Sequence, residues 1–252
     1  MKISIITLFP KMISGFFDES IIKRACEKKL VEIRLVNLRD FAIDDYGSVD
    51  DKPYGGGAGM VLRADVIWKA LNKLKVKSEK LKVKKILTSA KGKQFNQAKA
   101  IEYSKLGHLI VIAGHYEGVD ERVLDYVDEE VSLGDFVMTG GEIVAAAITD
   151  SVIRLIPGVL KKIEATKKES FLKTSIKHLI KVIGQNEILK RLDEKGTKEV
   201  KLLEHPQYTR PENFKEKTVP KILLSGNHKR IEDWRLKKAF EETLKKRKDL
   251  LQ

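Results

Sequence analysis

Apolar residues recur along this chain with two periods, and they lay out a series of alternating elements. Lys2–Phe9 is an apolar run suited to a central strand and is closed by Pro10. A helix is expected from Ser20 to Lys29, with Ile21, Ile22 and Ala25 on one face. From Val31 to Leu38, Val31, Ile33 and Leu35 alternate with Glu32 and Arg34, as in a half-buried strand. Residues 37–60 carry no period and end in Pro53-Tyr54-Gly55-Gly56-Gly57-Ala58-Gly59, and loops of such length are usually functional. Asp65 opens a helix through Leu74, followed by a Lys-rich turn. Next come a strand at Lys82–Thr88, a tight loop at Ser89–Gly92, a helix at Gln94–Ser104 and a buried strand at Leu109–Ala113. Strand and helix alternating at this spacing specify a parallel sheet covered by helices. Ligands of such sheets bind at the carboxyl ends of strands, where Ser89–Gly92 and Gly114–Gly118 both fall.

The run from Gly114 to Glu142 reads as a loop region between core elements. Glycines at 114, 118, 134, 140 and 141 allow tight corners and close approach of main chain to a ligand. It has no Gly-Lys-Ser/Thr, and its charge is mostly acidic, which suits a cationic or adenosine-like ligand better than a triphosphate. An apolar helix over Glu142–Ile156 follows, stopping at Pro157-Gly158 and carrying one cation, Arg154, near the end where a cation also caps carbonyls. Residues 159–175 read as a linker, Ser175–Leu192 as one amphipathic helix, His205–Pro211 as loop, and Ile231–Lys248 as a basic helix with Trp234 and Phe240 for a small core.

Charge then separates the two halves. Of the 49 Lys and Arg, 24 lie in residues 1–160 with 22 of the 36 acids, net +2, leaving 25 against 14, net +11, in residues 161–252. A basic half beside a nearly neutral one suits a polyanion, nucleic acid ahead of an anionic membrane, although solvated helix faces account for the charge equally well. The single cysteine, Cys26, excludes an intramolecular disulfide and is expected of a reducing cytoplasm. The amino end reads as a first strand instead of a signal peptide, and no apolar run reaches bilayer length, so no membrane partner is expected. The five histidines show no metal-ligand spacing.

Six segments in order, DDKPYGGGAGM, GHYEGVDER, DEEVSLGDFVMTGGE, DSVIRLIPGVL, HPQYTRP and LLSGNHKRIEDWR, give the chain its resemblance to the bacterial tRNA (guanine-N1)-methyltransferases of the SPOUT superfamily. The resemblance implies an α/β fold, a parallel sheet with helices on both faces and a deep trefoil knot, plus a small helical carboxyl-terminal domain. It implies a homodimer, S-adenosylmethionine as methyl donor, a suggested Mg2+ requirement, and the tRNA anticodon stem-loop as partner. The expected division is a knotted cofactor-binding domain at 1–160, a basic linker with a helical insertion at 161–201, and a helical tRNA-binding domain at 202–252. The implied cofactor residues are Thr88, Ser89, Ala90, Gly114, Tyr116, Glu117, Gly118, Ser132, Leu133, Gly134, Asp135, Phe136, Val137, Met138, Gly140 and Gly141.

The resemblance also implies a catalytic pair, Arg154 and the linker carboxylate Glu169, which stands where the family has Asp; Glu164 competes for that role. Guanine N1 carries a proton at neutral pH and must lose it on attacking a methyl, while charge builds on O6. A carboxylate takes the proton and a guanidinium offsets the charge. The chain departs from the family at Ala90, Lys91 and Val144, where Pro, Gln and Pro are usual. Residues 173–201 look like an insertion that adds tRNA backbone contacts or packs on a partner subunit. Two further readings stay open, a catalytically weakened tRNA-binding homologue and an enzyme acting at another RNA position.

Overall fold

The computed structural model describes residues 1–74, 81–161 and 169–252. The Lys-rich turn expected after Leu74 and the candidate Glu164 lie outside the described residues. The chain divides into two units, Met1–Lys161 and Lys162–Gln252.

In the first unit β1 (Lys2–Thr7) is followed by α1 (Lys11–Phe17), α2 (Ser20–Glu27) and β2 (Glu32–Asn37). The aperiodic region holds only a short turn of 3-10 helix at Leu38–Phe41 and the two-residue strand β3 (Asp50–Asp51), which pairs with β4 (Val61–Leu62) just beyond it. Then come α3 (Ala64–Lys73), β5 (Val83–Gln94), α4 (Gln97–Tyr103), β6 (His108–Ala113), β7 (Glu129–Ser132) and α5 (Glu142–Ile153). The sheet runs β2-β1-β6-β5-β7 with every neighbour parallel. Because successive side chains alternate across a strand, Ile3 and Ile5 of β1 join Leu109 and Val111 of β6 in one core with α1, α2 and α5, while Ile6, Ile110 and Ile112 pack with α3 in the other. All six residues of β6 are buried, which is why its sequence shows a run and no alternation.

Three local expectations are corrected here. The segment α1, with Ile13 and Phe17 buried, was not legible as a helix. Ser89–Gly92 is no tight loop: β5 continues through it, slipping register between Thr88 and Lys93 against Val131 of β7. Gly92 allows this because a Cβ there would collide with Val131 N. The stretch read wholly as loop contains β7, an edge strand of the sheet paired with β5.

An ion cluster anchors β7. The Glu129 carboxylate accepts from Tyr103 Oη (2.6 Å) and Lys84 Nζ (2.8 Å) and pairs with Lys99. Burial opposes its ionisation, yet the hydrogen bonds from Lys84, Lys99 and Tyr103 outweigh that and hold its pKa at about 2, below the ordinary 4.5. Burial first, then the Glu129 carboxylate, push the Tyr103 phenol upward. A depressed carboxylate contributes stability above pH 4.5 that disappears as pH falls toward 2. Glu129→Gln is therefore expected to cost about 2–4 kcal/mol at pH 7 and much less at pH 3. Urea unfolding followed by Trp68 fluorescence in a Trp234→Phe background reads this; an equal cost at both pH values would refute it.

In the second unit β8 (Leu172–Ser175) precedes α6 (Ile176–Ile183), α7 (Glu187–Glu194) and β9 (Glu199–Leu202), which pairs antiparallel with β8. The hairpin β10 (Asn213–Phe214) and β11 (Lys217–Thr218), then α8 (Lys221–Leu224) and α9 (His228–Lys246), complete it. The single amphipathic helix expected over Ser175–Leu192 is two. Gly184 ends α6 at φ +86°, and Asn186 caps α7 by accepting from the N–H groups of Ile188 and Leu189. Ile176, Leu179, Leu189, Leu192 and Val200 share one core with Phe240 and Leu251. The sequence division between 201 and 202 runs through β9.

Candidate active site

A cleft of about 310 Å3 opens in the first unit at the register slip of β5 and the ends of β6 and β7. Three backbone segments meet there. Thr88 Oγ1 accepts from Gly114 N (3.1 Å) and donates to Ile112 O (3.3 Å), so β5 grips the end of β6 where its register slips. Gly141 N donates to Gly114 O (2.6 Å), and Gly140 bridges His115. A Cβ on Gly141 would collide with Thr88 Oγ1 and lie 2.9 Å from Gly114 N, so this corner admits glycine only. Ser132 Oγ bonds both Gly134 N (3.1 Å) and Gly134 O (3.0 Å), folding the strand end of β7 into the next turn. Tyr116 takes φ +57°, unusual for a bulky residue, and Gly118 takes +120°.

Of the sixteen cofactor candidates, all except Asp135 line this cleft. Leu133 and Met138 pack against the core beneath it, whereas Phe136 and Val137 are exposed. The cleft also takes in Lys91, His115, Val119, Glu121 and Glu130, which stand outside those sixteen. For His115 the available signal was its place between Gly114 and Tyr116. The 55–59 glycines connect to the same region, since Glu117 N donates to Met60 O (3.1 Å) and Leu62 N to Gly118 O (3.0 Å).

Several acids of the stretch are engaged within the protein. Asp120 receives Arg122 Nε (2.9 Å) and its own turn's N–H, and the Arg122 hydrogen bond holds its carboxyl below the usual range. Asp128 accepts from Lys85 N (2.6 Å), Glu129 belongs to the Lys84–Lys99–Tyr103 cluster, and Glu142 bonds Thr7 and His115. The negative charge of these four is thus committed to structure, while Glu117, Glu121 and Glu130 line the cleft beside its closely approaching backbone. Among the described residues no group of three or more His, Cys, Asp or Glu could hold a metal ion. No helix among them is long and apolar enough to cross a membrane.

Arg154 and Glu169 belong to different units. Arg154 is the C-cap of α5, its N–H donating to Asp150 O (3.2 Å), as its helix-end position in the sequence suggested. Glu169 lines a cavity of about 320 Å3 in the second unit together with Lys173, His178, His205, Asp233 and Arg235. Its neighbours hold the chain locally: Ser170 Oγ accepts from Glu204 N (2.9 Å), and Phe171 N donates to Leu202 O (2.8 Å).

The fold is an α/β fold with a glycine-cornered cleft at the carboxyl edge of a parallel sheet, where ligands of such sheets bind. The family model described as "tRNA (Guanine-1)-methyltransferase TrmD" matches residues 1–252. A "tRNA (guanine-N(1)-)-methyltransferase" of Dictyoglomus turgidum is 46% identical over 252 residues, covering 100% of this chain and 90% of that protein. One of the same description from Bacillus cereus is 44% identical over 253 residues, covering 100% and 92%. The chain belongs to the tRNA (guanine-1)-methyltransferase family.

Proposed function

We propose that this protein methylates N1 of the guanine immediately 3′ of the anticodon in tRNA, using S-adenosylmethionine. Family membership over the whole chain is the observation that carries this reading. The residues fit the donor: the cleft, about 310 Å3, lies within the range of small-ligand sites, with an apolar floor and glycine corners that a Cβ would fill. Thr88, Gly114, Tyr116, Gly118, Ser132–Gly134, Phe136–Met138, Gly140 and Gly141 would hold it. When bound, S-adenosylmethionine supplies an electrophilic sulfonium methyl. The protein supplies the rest: Glu169 removes the N1 proton, and Arg154 offsets the negative charge that grows on O6.

The expected trefoil knot has support in two features. β7 takes its place beside β5 after the chain has already passed through β6, and the Gly140–Gly141 corner is bonded back to Gly114. A homodimer has support in exposed apolar side chains of the first unit, Met12, Phe16, Phe136, Val137 and Ile143. The second unit, with the basic residues of 161–252, acts as the tRNA-binding domain, and β8 to β9 belongs functionally with it. A tRNA substrate places the reaction in the cytoplasm.

Incubation of the protein with an unmodified tRNA transcript and S-adenosylmethionine, followed by nucleoside mass spectrometry and position mapping, tests the proposal. 1-Methylguanosine 3′ of the anticodon is expected, and a transcript with adenine there yields none. Absence of product with retained tRNA binding would favour a binding protein; product elsewhere would reassign the target. EDTA in the same assay reads the Mg2+ requirement, and sedimentation reads the dimer.

A further inference from the structure

Glu142 is fully buried in the first turn of α5. One carboxylate oxygen accepts from Thr7 Oγ1 (3.0 Å), 135 residues away in sequence, and the other lies 3.2 Å from His115 Nδ1. Thr7 Oγ1 itself accepts from Phe9 N (3.0 Å), so the proton of its hydroxyl is directed at Glu142. The chain of hydrogen bonds joins the end of β1, the residue after the Gly114 corner and the start of α5. The His115 ring is held between Phe9 (4.6 Å) and Tyr116 (4.7 Å), and its side chain is 13% exposed at the cleft. Gly140 lies directly against the pair, because a Cβ there would collide with His115 Nδ1 and Glu142 Oε2.

A buried carboxylate left without hydrogen bonds is strongly unfavourable. This one is satisfied by Thr7 at the end of β1 and by His115, which lines the cleft, with the N-terminal end of α5 adding to its stabilisation. We infer that Glu142 and His115 are positioning residues, a Thr7–Glu142–His115 clamp that seats Gly140–Gly141 against Gly114 and thereby shapes the cofactor cleft. The inference rests on the cleft being the S-adenosylmethionine site. Neither residue takes part in the proton transfer assigned to Glu169.

Two substitutions separate hydrogen bonding from ring packing. His115→Phe keeps an aromatic ring between Phe9 and Tyr116 and lacks the Nδ1 hydrogen; His115→Asn lacks the ring but places an amide N–H near the Nδ1 position. In His115→Phe, amide exchange over residues 138–145 accelerates about tenfold and the Kd for S-adenosylmethionine rises about tenfold or more, the scale of a lost hydrogen bond to a charged group. Exchange in β2 and α3 stays unchanged, which excludes global loosening. The kcat at saturating cofactor falls less than affinity does, and His115→Asn restores both readouts to within about threefold, since a single neutral donor replaces the imidazole. Unchanged exchange or unchanged affinity in His115→Phe overturns the clamp, as does equal impairment in the two variants. A wild-type chain that takes up no S-adenosylmethionine overturns the cleft assignment itself, whatever the exchange shows.

Discussion

Glu169→Gln is expected to lower kcat/KM for methyl transfer by about 10²–10⁴-fold, the range for loss of a general base. The amide is nearly isosteric with the carboxylate but does not accept the N1 proton, so tRNA binding is preserved while chemistry fails. Glu169 is not among the residues lining the cofactor cleft, so affinity for S-adenosylmethionine stays within about twofold, the change expected when no contact is lost. Three companion measurements give the result its meaning. Glu169→Asp retains a base one methylene shorter and, because about 1 Å of misplacement costs up to a hundredfold, falls between wild type and Gln. Glu164→Gln leaves the rate near wild type. Arg154→Lys keeps charge but loses the planar fork, and slows transfer with little effect on cofactor affinity. Full activity in Glu169→Gln would end the assignment of Glu169 as base.

Gly141→Ala is expected to weaken S-adenosylmethionine binding by about a hundredfold or more and to destabilise the first unit by about 1–3 kcal/mol. Gly141 has φ −87°, a conformation open to any residue, so backbone strain is not the reason. The reason is space: the added methyl collides with Thr88 Oγ1 and crowds Gly114 N, which forces the corner outward and breaks the 2.6 Å bond from Gly141 N to Gly114 O. Removing the obstructing hydroxyl provides the control. Thr88→Ala/Gly141→Ala recovers part of the affinity, because the worst contact is gone while Gly114 N remains close. Calorimetric titration of both variants measures the effect, and wild-type affinity in Gly141→Ala would show that this corner does not touch the ligand.

The legible portion of the structure was the portion encoded by near neighbours. Apolar runs at Lys2–Phe9 and Leu109–Ala113 declared buried strands, observed as β1 and β6, and the 3.6-residue period declared α3. Glycine positions marked the corners, and the segments shared with the family marked the cleft. Whole-chain resemblance supplied the methyl donor, the guanine target and the Arg154–Glu169 pair, none of which follows from periodicity. At Ser175–Leu192 the pattern misled, since an amphipathic stripe survives across Gly184 although the helix does not.

What the sequence by itself determined, then, was the alternation of strand and helix, the glycine-cornered rim of the sheet and membership of a methyltransferase family. Only the tertiary structure decided that β7 pairs with β5 at the sheet edge, that β5 runs through Ser89–Gly92, and that Asp120, Glu129 and Glu142 of the glycine-cornered stretch serve Arg122, Lys84, Lys99, Thr7 and His115. The physical reason is range. Propensity and period act over a few residues, whereas a sheet neighbour or a buried carboxylate's partner is chosen by burial and hydrogen-bond satisfaction among groups more than a hundred residues apart, as Thr7 and Glu142 are.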